Sequence, residues 1–169
     1  LHADHELNAS TFAARIAAST MADMYASVVA ATGTLMGPLH GGAAQKVMEM
    51  LREVAAPWRA EEYVKEKLER KERIMGFGHR VYKKTMDPRT IELKTLAKKL
   101  ADEKDPKWYE ISEAIAEAVY KHKGLLPNVD FYSASVYANL GIPDDLFINV
   151  FAMGRIAGWT AHIIEQYEN

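Results

Sequence analysis

Cysteine is absent from the 169 residues, which removes disulfide scaffolds, thiol nucleophiles and cysteine-bound metal sites together and fits a reducing compartment, the cytoplasm by default. An excess of one charge is missing as well. With 21 Lys and Arg against 23 Asp and Glu, no strongly basic surface for a nucleic acid is expected, and a net charge of −2 implies no polyanionic partner. The opening residues, Leu1 to His5, lack a charged region leading into an apolar one, so no secretory signal is expected. Clean apolar runs are also lacking. The richest stretch, Ser10 to Met36, is interrupted by Arg15, Asp23 and several Ser and Thr short of the roughly 20 apolar residues a membrane span needs. It reads as a buried helix, with no membrane partner. Period-two alternation, the mark of half-buried strands, is scarce.

What remains is an apolar, alanine-rich chain of one-domain length, able to bury a core without disulfides or metal. Hydrophobic residues are 49% and charged residues 26%, and alanine is the commonest residue, so the fold class is all-α. Phe12, Ile16, Met21, Met24, Tyr25, Val28 and Val29 keep near-helical spacing until Gly33 and Pro38. Val47, Met48 and Leu51 share one face of a helix that stops near Pro57. Glu61 to Arg73 reads as a charged amphipathic helix with Tyr63, Val64 and Leu68 inward. After Gly76-Phe77-Gly78 and a loop to Asp87-Pro88, a helix runs through Ile91, Leu93, Leu96 and Leu100. Trp108 to His122 and Asp130 to Leu140 are helices ended by Gly124 and Gly141.

The last helix, Leu146 to Ile164, is apolar around nearly its whole circumference, with Arg155 and His162 its only ionisable groups. A guanidinium keeps its proton, so a buried Arg155 requires an anion. A structural ion pair is the commoner source of one and a ligand carboxylate the alternative.

Three histidines stand in unusual settings. His40, in Gly37-Pro38-Leu39-His40-Gly41-Gly42, and His79, after Gly76-Phe77-Gly78, occupy glycine-rich turns where backbone donors are available and a ligand can approach closely. Plain loop histidines are the simpler reading of each alone. His5 belongs to His2-Ala3-Asp4-His5-Glu6, whose spacing does not put two ligands on one helix face, so no metal is expected. Asp130 stands at a helix start, where it reads either as an N-cap or as a base strengthened by apolar neighbours. Arg89 sits at a helix N-terminus, which disfavours a cation and points to an anion held there; an exposed arginine is the alternative. The inventory suits a substrate with several carboxylates and proton abstraction beside a carbonyl.

These segments, with Asp87-Pro88-Arg89 and Asn128-Val129-Asp130-Phe131-Tyr132, occur in the order found in citrate synthases, and the chain resembles that family over nearly its whole length. The resemblance implies an all-α fold with a large and a small domain: residues 1–40 and 142–169 would be parts of the large domain and 41–141 the small one. It implies an acyltransferase of the tricarboxylic acid cycle, cytoplasmic and homodimeric, that condenses acetyl-CoA with oxaloacetate to citrate and uses no cofactor besides acetyl-CoA as substrate. Asp130 resembles the base that removes the methyl proton, His40 the donor to the thioester oxygen, and His79 the donor to the oxaloacetate carbonyl. His5, Arg89 and Arg155 resemble the dicarboxylate ligands, which turns Arg155 toward a ligand clamp. Ile74, Met75, Gly76, Phe77 and Gly78 resemble the loop that holds CoA, and Lys83 stands where a basic residue meets CoA phosphate. The loop from His79 to Arg89 is one residue longer than usual in the family.

Family members are longer, and the arginine that reaches the neighbouring subunit's dicarboxylate has no counterpart before Asn169. The 169 residues alone are therefore expected to be inactive, with the apolar stretches Ser10–Met36 and Leu146–Ile164 requiring partners. The alternatives are 2-methylcitrate synthase, which uses propionyl-CoA with the same residues, and a non-catalytic helical assembly module that keeps only the scaffold.

Overall fold

A computed structural model describes all residues except Pro38, Arg80, Lys83 and Lys84. The fold is all-α: the described residues form eight α-helices and two 3-10 turns, with no strand among them and an isolated antiparallel bridge between Phe77 and Pro127. No helix among them is long and apolar enough to cross a membrane. The chain forms two compact units, one of Leu1–Gly42 with Leu146–Asn169 and one of Ala43–Asp145.

The first unit packs three helices, α1 (Ala9–Ser19), α2 (Met24–Leu35) and α8 (Phe147–Glu168). Its core joins Ala14, Ala18 and Ala31 to Leu35, Phe151, Trp159 and Ile163. Small residues on α1 and α2 let the helices approach closely, and the large rings of α8 fill the space between them. The sequence predicts one helix over Ser10–Met36, and the structure has two. Met21 adopts a left-handed conformation (φ 63°), and the Asp23 carboxylate caps α2 by accepting from the Ala26 amide at 2.8 Å. Apolar spacing passes through this break without registering it, whereas the cap is a local polar signal. Phe12, Ile16, Met21, Tyr25 and Val29 are exposed, Met24 and Val28 pack against the core, and Ala14, Ala18 and Ala31 lie within it.

The segment before α1 lies against α8. A side chain on Gly158 would collide with the Ala3 carbonyl, so glycine at that position is what lets residues 2–4 run along the helix. Arg155 Nε donates to the His2 carbonyl at 2.6 Å. His162 Nε2 lies 3.1 Å from Asp4 Oδ1.

The second unit contains α3 (Ala43–Val54), α4 (Ala60–Glu69), α5 (Pro88–Glu103), α6 (Lys107–Lys123) and α7 (Val129–Asn139). Val47, Met48, Leu51, Val54 and Val64 are fully buried, whereas Ile91 and Leu96 of α5 face outward and Leu93, Ala97 and Leu100 inward. Helix α7 is the centre of this unit, packed on α3, α5 and α6. All of its residues are buried except Asp130 and Ala138. Tyr132 of α7 donates to Glu113 Oε1 of α6 at 2.5 Å, and Glu113 also pairs with Lys94 of α5 at 2.7 Å. The buried hydroxyls of Ser112 and Ser135 bond each other at 2.8 Å, which satisfies two polar groups inside the core at once.

Gly76 joins this core to the loop before His79. Its φ is +82°, and an added Cβ would lie 2.8 Å from both Phe131 Cδ2 and Val47 Cγ2. Gly76→Ala therefore combines backbone strain with overpacking and should lower stability by about 1–3 kcal/mol, read as a reduced denaturant midpoint; an unchanged midpoint would contradict this packing.

Candidate active site

Each unit carries its own group of the residues singled out from the sequence. In the first unit, α2 ends in a turn in which the Leu35 carbonyl accepts from the Gly41 amide at 2.9 Å and the Gly37 carbonyl accepts from the His40 amide at 2.9 Å. The half-buried His40 ring is thereby turned to the start of α1. Its Nε2 accepts from the Ser10 amide at 3.3 Å and lies 2.9 Å from Ser10 Oγ. A backbone amide can only donate, so Nε2 is an acceptor and the proton of the neutral ring resides on Nδ1. Ser10 is itself fixed: its hydroxyl donates to Asn8 Oδ1 at 2.9 Å and accepts from Trp159 Nε1 at 3.2 Å.

Arg155 is 1% exposed, with its guanidinium 4.8 Å from the centre of the Phe151 ring. The same ring has the His2 imidazole 4.5 Å away on centroids and the His40 ring edge-on at 6.3 Å. Burial, and then the Arg155 charge, push the His40 pKa below its ordinary value. His5 is half-buried, and its carbonyl accepts from Asn8 Nδ2 at 3.4 Å. Asn8 thus links the His5 segment to the start of α1, which it also caps.

In the second unit, residues 76–78 run antiparallel to residues 126–128. The Gly78 amide donates to the Leu126 carbonyl at 3.0 Å, and the Asn128 amide donates to the Gly76 carbonyl at 2.9 Å. Ile74 and Met75 are half-buried and Phe77 is buried against Phe131, with centroids 4.6 Å apart. The Lys83 assignment lies outside the described residues. His79 follows directly, and its Nδ1 accepts from the amides of Val81 at 3.0 Å and Tyr82 at 3.3 Å. By the same reasoning Nδ1 is the acceptor, and Nε2 carries the proton of the neutral ring.

Arg89 lies near His79, and the anion its position called for is Asp87. The guanidinium Nη2 donates to Asp87 Oδ2 at 2.6 Å, and Nε donates to both carboxylate oxygens at 3.1 and 3.2 Å. Asp87 also caps α5 by accepting from the Arg89 amide at 2.9 Å. The carboxylate is 1% exposed and the arginine side chain 12%, so Arg89 is a shielded, paired cation rather than a solvated one. Burial lowers the His79 pKa, the Asp87 charge raises it and the Arg89 charge lowers it, leaving it below its ordinary value.

Asp130 stands in the first turn of α7, and Asn128 does the capping: its Oδ1 accepts from the Asp130 amide at 3.1 Å. Of the two readings of Asp130, the N-cap is therefore excluded. Its charge, after burial, helps hold the Tyr137 hydroxyl up at about 12. Ser10 and Phe151, which contact His40, and Trp159, which bonds Ser10, carry no sequence signal as site residues, because these contacts bridge distant positions. Asp87 and Asn128 were visible as cap residues ahead of helices.

The first unit thus offers His40 Nδ1 as a hydrogen-bond donor and the buried Arg155 guanidinium, and the second offers His79 Nε2, the shielded Arg89 guanidinium and the Asp130 carboxylate on a buried helix. Residues 1–169 match the family model described as citrate synthase, C-terminal domain. The chain belongs to the citrate synthase family. It is 56% identical to citrate synthase 2 of Bacillus subtilis over all of this chain and 45% of that protein. It is 46% identical to a 2-methylcitrate synthase of Shewanella oneidensis, again over all of this chain and 45% of that protein. Among solved structures it is similar to the citrate synthase of Thermoplasma acidophilum, in a ternary complex with carboxymethyl coenzyme A and oxaloacetate, at a TM-score of 0.93 and 40% identity, covering 99% of this chain and 46% of that one. The chain thus spans about half the length of the citrate synthases it matches.

Both histidines have lowered pKa values, so the unfolded chain binds more protons than the folded one between those values and the ordinary one near 6.5. Their contribution to stability is complete above that pH and declines as pH falls through the window. Denaturant midpoints measured downward from neutral pH should show this decline, and replacing His40 and His79 together by Gln should flatten it; an undiminished slope in the double variant would contradict the assignment.

Proposed function

We propose that the full-length protein condenses acetyl-CoA with oxaloacetate and water to give citrate and CoA, as an acyltransferase. The observation that carries this reading is the pinning of one nitrogen of His40 and of His79 by backbone amides. With that nitrogen accepting, the proton of each neutral ring stands on the other nitrogen, and this N–H is the donor that the reading directs at a substrate oxygen. A carboxylate is a weak base toward a thioester's methyl group, so removing the proton requires stabilisation of the oxygen that gains charge. Asp130 takes the methyl proton, and His40 Nδ1 donates to the thioester oxygen of the resulting enolate. The new carbon nucleophile attacks the oxaloacetate ketone, whose oxygen receives a hydrogen bond and then the proton from His79 Nε2. Water hydrolyses the citryl thioester and releases CoA, and the proton held by Asp130 returns through solvent to His79 Nε2, restoring both groups. His5, Arg89 and Arg155 hold the dicarboxylate, while the backbone of Ile74, Met75, Gly76, Phe77 and Gly78, with Lys83, receives CoA. No metal or further cofactor enters these steps. A homodimer in the cytoplasm completes the reading.

The 46% identity to a 2-methylcitrate synthase supports one rival, the same chemistry with propionyl-CoA. The assembly module is disfavoured because such a protein has no use for paired, pinned histidines.

In the full-length protein, Asp130→Ala should cut citrate formation by about 10²- to 10⁴-fold with oxaloacetate binding, read by calorimetry, nearly unchanged. Wild-type turnover by that variant would refute the base assignment, and equal or faster turnover of propionyl-CoA by the unmodified protein would transfer the reading to the rival. The 169 residues by themselves are expected to form no citrate, since they match 45% of a relative's length and leave Phe12, Ile16, Tyr25 and Val29 exposed; measurable citrate from the purified chain would contradict this.

A further inference from the structure

We propose that Asn128 is a positioning residue that ties the segment bearing Asp130 to the segment bearing His79, an inference that rests on the reading given under Proposed function. Three of the hydrogen bonds of Asn128 tie the two segments together. Its Oδ1 accepts from the Asp130 amide at 3.1 Å, its Nδ2 donates to the Gly78 carbonyl at 3.1 Å, and its own amide donates to the Gly76 carbonyl at 2.9 Å. The orientation of the side-chain amide follows from its partners, since a backbone N–H must donate and a carbonyl must accept.

A helix cap alone does not require asparagine. Serine, threonine or aspartate also supplies an oxygen to the first turn. Asparagine is the one short capping residue that adds an N–H at the far end of the same rigid plane, and here that N–H holds the carbonyl immediately before His79. One planar amide therefore spans two loop segments about 50 residues apart in sequence. One end carries the base and the other the donor to the oxaloacetate carbonyl. Misplacement of reacting groups by about 1 Å costs roughly 10²-fold in rate, so the tether bears on turnover more than on binding.

The test uses Asn128→Ser and Asn128→Asp in the full-length protein. Both keep an oxygen for the cap, and neither can donate to the Gly78 carbonyl from the same position. The expected result is a fall in kcat of about 10- to 100-fold with KM for oxaloacetate changed by less than about threefold, together with a His79 titration midpoint, followed by NMR, that moves up toward the ordinary histidine value. Loss of stability with kcat per folded molecule and the His79 midpoint both unmoved would make Asn128 a helix cap only and overturn the inference. Asp130→Ala in parallel separates the two levels. If that variant is inactive while both Asn128 variants turn over normally, the tether fails and the reaction stands; if it retains full turnover, the reading beneath the tether fails.

Discussion

The candidate site depends on one recurring interaction, a backbone amide donating to an imidazole nitrogen. The Ser10 amide does this for His40, and the amides of Val81 and Tyr82 do it for His79. A proton placed on the same nitrogen would have to displace those donors, so the bond selects both the charge state and the tautomer. Burial acts in the same direction on both rings; Arg155 adds to it at His40, while at His79 the Asp87 charge opposes it and Arg89 adds to it, leaving the pKa lowered. Two groups that titrate near neutrality in water are thus held as neutral hydrogen-bond donors. A neutral donor can stabilise developing oxygen charge without adding a full positive charge beside the arginine that each unit already holds.

Much of the rest of the chain supports those amides. The Ser10 amide is fixed because Asn8 caps α1 and because the Ser10 hydroxyl is held by Asn8 and Trp159. The α8 rings that fill the core therefore also orient the His40 partner. In the other unit, the loop before His79 is anchored by Gly76, whose backbone packs where no side chain fits, and by the short antiparallel pairing of residues 76–78 with 126–128. Asp87 has a double role there, capping α5 and neutralising Arg89. A shielded arginine paired in this way is already ordered, so its side-chain entropy has been spent in folding rather than at binding.

The all-α class was legible from composition, and most helix ends followed from local chemistry: Gly124 and Gly141 in left-handed conformations, and Pro88 at the start of α5. The break at Met21 to Asp23 was hidden because an apolar pattern continues across it. The outward face of Phe12, Ile16, Tyr25 and Val29 was hidden for a different reason: alanine is ambiguous as a core residue, and three of them hold the inner face of α1 and α2. At the site, motif spacing singled out His40, His79, Arg89, Asp130 and Arg155. It could not distinguish an internal anion from a ligand for Arg89, since Asp87 stands within the same motif. Nor could it find Ser10 or Trp159, whose contacts bring together residues 30 and 149 positions apart.

The most direct test is nitrogen-15 NMR of the imidazoles in the full-length protein at neutral pH. The account predicts two neutral rings, His40 protonated at Nδ1 and His79 at Nε2. An imidazolium at either position, or the opposite tautomer at either ring, would contradict it.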